Sequence, residues 1–314
     1  MARHRSTLTP DLSGRVALVT GASSGIGRAT ARALAARGAT VVATARREDR
    51  LRALVEECRT MAPDSSWVAG DLGERGFAQQ VVAETIQGQG RLDILVNNAA
   101  LPLHKSILET SVEEAERTLR VNLTACLWTI LGCLPAMLRQ GEGWIVNVSS
   151  FASKIVPTHE AVYVASKCGM NGLTEGLWRD LAGTGIHVAL VHPGPIDTEI
   201  WSKLQRPHGF RGRLHPPELV AEAVIACIAE GRRELVVPRR DPSLFAARLL
   251  SAVAPGLLRW ALARQEPVPP ELVERARERA RRGQPLHEES SPAPGSPPSS
   301  VEHAGERDAS REGG

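Results

Sequence analysis

Along the first three quarters of the chain, short runs of consecutive apolar residues alternate with longer stretches whose apolar positions recur every three or four residues. The run at 16–20 ends in a glycine-rich turn, residues 26–37 have helical spacing closed by Gly38, and a second apolar run at 40–44 follows at once. The alternation continues with a run at 67–69 before Asp71, a helical stretch around 77–87, a run at 92–96, a long helix around 112–139 and a run at 144–148. A helix over 163–182 then leads to a run at 187–191, and a helix over 217–230 leads to the last one at 235–237. Runs that are apolar throughout are strands covered on both faces, and strands joined through helices build a parallel sheet. The expected fold is therefore α/β, one domain on a doubly wound parallel sheet.

Four segments break the pattern. Residues 195–215 are long, carry Pro207, Gly209 and Gly212, and have no clear period, which reads as a mobile loop covering a substrate. Residues 244–262 are strongly apolar, but Arg248, Pro255, Gly256 and Arg259 are too many polar and helix-breaking residues for a membrane span. Docking on the protein's own body or on a subunit is the favoured reading, and lying in a membrane surface is the alternative. Residues 271–282 form a charged helix, and 284–314, rich in Pro, Ser, Gly and Glu, read as a disordered tail. The expected divisions are an arm at 1–13, the sheet domain at 14–238, a helical extension at 239–283 and the tail at 284–314.

A chain of 314 residues with 42% hydrophobic content can bury a large core. Its net charge of +3 is spread along the whole length, with no basic stripe and no aromatic platform, so no nucleic-acid partner is expected. Five cysteines lie far apart without a CxxC, which points to a reducing, cytoplasmic setting rather than a disulfide framework. The first residues lack the apolar core of a secretory signal. Nine histidines show no ligand spacing, and no metal site is expected.

The chemistry concentrates at the ends of the strands. Tyr163 is the only tyrosine, and Lys167 stands four residues on, which on a helix places an ammonium on the same face as a phenol. A cation there favours the phenolate and can bring a group of pKa about 10 into use as an acid or base. Taken alone, the pair is equally a half-buried ring beside a snorkelling lysine. The loop Gly21, Ala22, Ser23, Ser24, Gly25, Ile26, Gly27 joins the first strand to the first helix, where glycines let backbone approach a pyrophosphate and the helix N-terminus offers it free N–H groups. The second strand ends at Ala45, Arg46 and Arg47 with no carboxylate to bind ribose hydroxyls, so NADP is favoured over NAD, which stays possible. A surface arginine pair is the plain alternative. Asp71 and Leu72 follow the third strand and Asn97, Asn98, Ala99 and Ala100 end the fourth.

Taken together and in this order, TGASSGIG, the NNA segment, Asn122, NVSS, YVASK and HPGPIDT make residues 14–238 resemble a short-chain dehydrogenase/reductase of the Tyr-Lys type. The resemblance implies a Rossmann fold, a nicotinamide cofactor and a catalytic set of Asn122, Ser150, Tyr163 and Lys167. Ser150 rather than Ser149 has the family's spacing, thirteen residues before Tyr163. The resemblance further implies that Lys167 lowers the tyrosine pKa and holds the nicotinamide ribose, that Asn122 keeps a water on the proton path, and that Pro193, Gly194, Ile196 and Thr198 line the nicotinamide. The cofactor set is Gly21, Ser23, Ser24, Gly25, Ile26, Gly27, Arg46, Arg47, Asp71, Leu72, Asn98, Ala99, Ala100, Tyr163, Lys167, Pro193, Gly194, Ile196 and Thr198. The chain departs from the family at Ala100 and Ser153, where glycine is common, and in lacking the TG…DGG ending of acyl-carrier ketoreductases, which points toward steroid-like or other lipophilic carbonyls. Phe151, Ile155, Val156, Ile196, Ile200, Trp201 and Leu204 are expected pocket walls, with Arg206, Arg211 and Arg213 as candidates for a substrate carboxylate. The expected activity is an NADP-dependent oxidoreductase on a small-molecule carbonyl or secondary alcohol; a non-catalytic dinucleotide sensor or scaffold is the alternative. The family also implies a homodimer or homotetramer, the tetramer being doubtful because of the extension after Pro238.

Overall fold

The computed structural model describes residues 10–204 and 212–286. Seven strands, β1 (Val16–Thr20), β2 (Thr40–Ala45), β3 (Ser66–Ala69), β4 (Ile94–Asn97), β5 (Gly143–Val148), β6 (Ile186–Pro193) and β7 (Glu234–Val237), form one sheet in the order β3-β2-β1-β4-β5-β6-β7. All neighbours are parallel, with registers such as Leu18 against Val42 and Asn97 against Asn147. Between and after them run α1 (Gly25–Ala35), α2 (Glu48–Arg59), α3 (Arg75–Gln89), α4 (Val112–Leu119), α5 (Ala125–Gln140), α6 (Ala152–Ile155), α7 (Ala161–Asp180), α8 (Glu218–Glu230), α9 (Pro242–Val253), α10 (Pro255–Gln265) and α11 (Pro270–Arg281).

The period of two in each strand divides the core into two layers. Ala17, Val19, Val41, Ala43, Ile94, Val96, Val146 and Val191 point to the side covered by α1, α2 and α8. Leu18, Val42, Leu95, Ile145, Val188 and Leu190 point to the side covered by α3, α5 and α7. This two-sided burial is why the strands are apolar throughout.

Two helical features differ from the expectations above. α2 is absent from them: its charged surface hides the buried series Leu51, Leu54, Val55 and Cys58, spaced as one helix face. The single helix expected over 112–139 is instead α4, a π-helical segment at Arg120–Thr124, and α5. The wider turn is marked by the Ala125 N–H reaching back five residues to the Arg120 carbonyl, and it carries Asn122. By length and composition Val112–Gln140 could cross a membrane, but half of its apolar window is buried inside the protein. Ser111 opens α4 with a capping box to Glu114.

The direction of sheet order reverses between β1 and β4, and at such a switch point the carboxyl ends of the strands are where sheets of this kind bind ligands. The base of the covering loop is held there by a parallel bridge between Ile196 and His215. Arg206, Arg211 and the tail from 287 lie outside the described residues.

Candidate active site

The glycine loop follows from the need for close backbone approach. Gly21 and Gly25 have φ of 66° and 51°, in the region that favours glycine. A Cβ on Gly27 would stand 2.4 Å from the Gly21 carbonyl oxygen, and one on Gly25 would stand 2.8 Å from Thr198 Cγ2. Asn98 Nδ2 donates to the Thr20 carbonyl at 2.9 Å, and the Asn98 and Ala99 N–H groups both donate to Thr20 Oγ1, which locks the loop after β4 to the end of β1. Ala100 has no positive φ, so its methyl group is accommodated where the family commonly has glycine. Ser24 begins α1 without spending its side chain on a cap, which leaves the start of that helix as an anion-binding end. The chain thus fits a dinucleotide on its own geometry: a cradle that side chains would fill, opening onto a helix N-terminus.

Arg47 extends across this loop. Its guanidinium donates to Ser23 Oγ at 3.0 Å, to Ser24 Oγ at 2.8 Å and to Glu199 Oε2 at 2.7 Å. Arg50 also pairs with Glu199, and hydrogen bonds from Arg47 and then Arg50 hold that carboxyl down to about 2. Arg46 is exposed and acts on Asp71 through its charge. Burial raises the Asp71 carboxyl, but the Gly73 N–H and Arg117 more than reverse this and leave it below the ordinary carboxylate range. Leu72 beside it is buried.

Tyr163 and Lys167 lie one turn apart on α7, with the lysine Nζ 5.9 Å from the centre of the phenol ring. Lys167 is buried, and its ammonium donates to the Val148 carbonyl at 2.9 Å. Burial pushes it down to about 8. The half-buried Tyr163 is raised above the ordinary phenol value by desolvation and by Glu160, against a hydrogen bond with Ser150 that lowers it. Lys167 is not among the groups that shift the phenol, which corrects the expectation that it lowers the tyrosine pKa: here it turns toward a carbonyl, and loss of water governs both groups.

The two neighbouring serines part company. Ser150 accepts the Ala152 N–H at 3.1 Å and meets the phenol, whereas Ser149 is buried and donates to Asn171 Oδ1 at 2.7 Å. Asn122 spends its whole side chain on support: it accepts from the Leu101 N–H at 2.7 Å and donates to the Leu101 carbonyl and to Ser166 Oγ, each at 3.0 Å. It ties the loop after β4 to α7 beside Lys167.

Sequence reasoning missed the support behind Ser150. Ser153, where the family commonly has glycine, donates to the Ser150 carbonyl at 2.6 Å and accepts from Asn171 Nδ2 at 3.0 Å. Buried His192 approaches the same carbonyl with Nδ1 at 3.3 Å and meets Glu234 with Nε2 at 3.0 Å. Hydrogen bonds from His192 and, against the opposing effect of burial, from Lys154 hold the Glu234 carboxyl down to about 2. The only signal in the sequence was the serine at 153 itself.

Pro193 ends β6, the Gly194 N–H donates to the Val237 carbonyl at 2.7 Å, and Thr198 packs on Gly25. Ile196 and Phe151 are buried, Ile196 within the main core, so neither side chain walls a pocket as expected; Ile155, Ile200, Trp201 and Leu204 are half-buried and Val156 is exposed. A separate cavity of about 300 Å³ lies at the other end of the sheet, between Trp144, Trp178 and Ile186, away from these groups.

Comparison with known proteins agrees with the geometry. Residues 15–208 match the family model described as short chain dehydrogenase. An uncharacterized oxidoreductase of Staphylococcus saprophyticus is 36% identical over 219 residues, which is 69% of this chain and 92% of that protein. One from Bacillus subtilis is 31% identical over 254 residues, 78% of this chain and 70% of its own. The crystal structure of a metagenomic short-chain oxidoreductase in complex with NADP is similar with a TM-score of 0.61 and 32% identity, covering 72% of this chain and 98% of that one. Cradle, sheet order and sequence relatives converge: this oxidoreductase belongs to the short-chain dehydrogenase family.

Proposed function

We propose that the protein moves a hydride between NADP and a carbonyl or secondary alcohol of a lipophilic substrate, with Tyr163 as the proton donor and acceptor. The observation that carries this reading is the grouping of Ser150, Tyr163 and buried Lys167 at the carboxyl end of β5 and on α7, beside the glycine cradle. When bound, the nicotinamide supplies or accepts the hydride.

The chain's residues do the rest. The Gly21–Gly27 loop and the start of α1 hold the pyrophosphate, Arg46 and Arg47 the 2′-phosphate, and Asp71 and Leu72 the adenine side. Asn98, Ala99, Ala100, Pro193, Gly194, Ile196 and Thr198 frame the nicotinamide half, and Lys167 holds its ribose. Ser150 hydrogen-bonds the substrate oxygen and Tyr163 gives it a proton in reduction or takes one in oxidation. Asn122 fixes the π-helical segment that keeps a water on the path to Lys167. Ile155, Val156, Ile200, Trp201 and Leu204 leave apolar surface beside Ser150, which supports a lipophilic substrate. Exposed Leu119, Leu131 and Leu138 on α4 and α5 support a homodimer through that face. Five free cysteines support a reducing, cytoplasmic setting.

The test is oxidation of NADPH and NADH by wild type and Tyr163→Phe over a panel of aromatic, steroid-like, aliphatic and quinone carbonyls. Turnover that prefers NADPH and falls by about 10²–10⁴ in the variant is expected. Equal turnover in both proteins would remove Tyr163 from the mechanism, and turnover in neither would favour a dinucleotide sensor.

A further inference from the structure

The helices after β7 carry two sets of apolar side chains. One faces the body. Leu244 and Leu258 are buried, and Leu244 packs where a Cβ on Gly194 would meet it at 2.9 Å. The Leu262 carbonyl accepts from Thr158 Oγ1 at 3.3 Å, and Glu266 meets His104 Nε2 at 2.7 Å. This half of the extension docks on the catalytic domain, as the favoured sequence reading has it.

The other set faces away. Phe245, Leu249 and Val253 succeed each other one turn apart on α9 and are 70%, 53% and 71% exposed; Leu257 and Trp260 on α10 are 54% and 53% exposed. Single exposed apolar residues are ordinary, but five on two adjoining helices make a surface that water does not favour. The charges on these two helices have one sign. Between Asp241 and Glu266 the only charged residues are Arg248, Arg259 and Arg264, all exposed, with the Arg264 guanidinium 4.2 Å from the centre of the Trp260 ring. The acids at either end are turned elsewhere: Asp241 caps α9 and lies 3.5 Å from His215, and Glu266 meets His104.

We propose that this face of α9 and α10 docks on a lipid surface with anionic headgroups. Aromatic and aliphatic side chains flanked by arginine, on helices lying along the surface of a folded body, match an interfacial layer that is apolar below and negative above. A second copy of the chain fits less well, since a symmetric contact sets a patch against itself and would bring arginine toward arginine. The chain's own tail fits less well again, because residues 287–314 contain Val301 as their only large apolar residue. α9 packs against α6, directly after Ser150, so the docked face adjoins the cleft. That a substrate dissolved in lipid reaches the cleft from this side rests on the function proposed above; the docking itself does not.

Flotation of the full chain with vesicles of equal parts phosphatidylcholine and phosphatidylglycerol, and with phosphatidylcholine alone, tests the proposal. The chain is expected to float with the anionic vesicles and to stay behind with the neutral ones. Phe245→Ser combined with Trp260→Ser should abolish flotation while thermal melting shows the fold intact. Arg248→Gln, Arg259→Gln and Arg264→Gln together, which spare the apolar packing, should lower the partition coefficient on the order of 100-fold at about 1 kcal/mol per arginine. No flotation of wild type, or flotation unchanged in the apolar double variant, overturns the proposal. So does a double variant that sediments one oligomeric step below wild type, because the face would then be covered by a second copy.

Discussion

Replacing Arg47 with alanine tests cofactor choice quantitatively. Arg47 already donates to Ser23, Ser24 and Glu199, and a 2′-phosphate would be a further acceptor within reach of the same fork. A charge-assisted hydrogen bond of that kind contributes about 1.5–3 kcal/mol. Against it stands the pair with Glu199, whose partners are 33% and 38% exposed. At that exposure the pair is worth at most about 1 kcal/mol and has to loosen when the phosphate binds. The balance, about 0.5–3 kcal/mol, predicts that Arg47→Ala lowers kcat/KM for NADPH by about 2- to 160-fold. NADH lacks the phosphate, so its kcat/KM should hold within about twofold, since the serine loop keeps its backbone bonds. Initial rates against each cofactor at saturating carbonyl give both numbers. Glu199→Gln, which removes the competing charge, should tighten NADPH by up to about 5-fold. If Arg47→Ala weakens NADPH and NADH alike, the arginine only braces Ser23 and Ser24. If neither changes, it has no part in binding.

Ser150→Ala should lower kcat by about 10²–10³ while Ser149→Ala leaves it within severalfold and instead costs about 1 kcal/mol of stability in urea unfolding, because it strands Asn171; the reverse result would exchange the two serines. Lys167 is cationic below about 8 and neutral above it, so kcat/KM for carbonyl reduction should fall as pH rises through about 8. A profile that is flat there would place the ammonium outside the mechanism. Gly27→Ala puts a methyl group 2.4 Å from a backbone oxygen that has no rotamer to yield, and should cost about 3 kcal/mol or more by urea denaturation, with weaker NADPH binding. A loss below about 1 kcal/mol would refute the close approach.

The parts of the fold legible in the sequence were those written in apolar runs. All seven strands stand within two residues of their expected places because strands buried on both faces tolerate little else. The helix α2 was hidden because seven of its eight residues outside the core are charged, and the π-helical segment because a period of about 3.6 and one of about 4.4 cannot be told apart over a single turn. At the site, the glycines held by backbone geometry were readable, Gly21, Gly25 and Gly27 for close approach; the Tyr163–Lys167 pair stood out by its offset, and Ser150 was named through the family resemblance. His192, Asn171 and Glu234 were not, because they act through the Ser150 carbonyl from β6, α7 and β7, and no short-range spacing joins three elements that meet only in the fold.

The sign of the Tyr163–Lys167 coupling is where local reasoning and tertiary structure part. Spacing of four residues put the charge beside the ring, and from that alone the cation lowers the phenol pKa. With Nζ 5.9 Å from the ring centre the two groups are neighbours, but the attraction between them acts only if both are charged. Burial disfavours charge on each separately, raising the phenol and bringing the ammonium down to about 8. The favoured resting state is therefore a protonated phenol beside a lysine close to giving up its own proton. On the proposed assignment, such a phenol rests in the protonated form that carbonyl reduction needs, but as a weaker acid than a free phenol, so it yields its proton only as negative charge develops on the substrate oxygen. A lysine at about 8 is a stronger acid than an ordinary one near 10.4, so return of the proton from it to the phenolate is more downhill. Burial of the pair thus opposes the first proton transfer and favours its replacement from the lysine, and an effective donor or base at this site needs a change of surroundings that brings the phenol down.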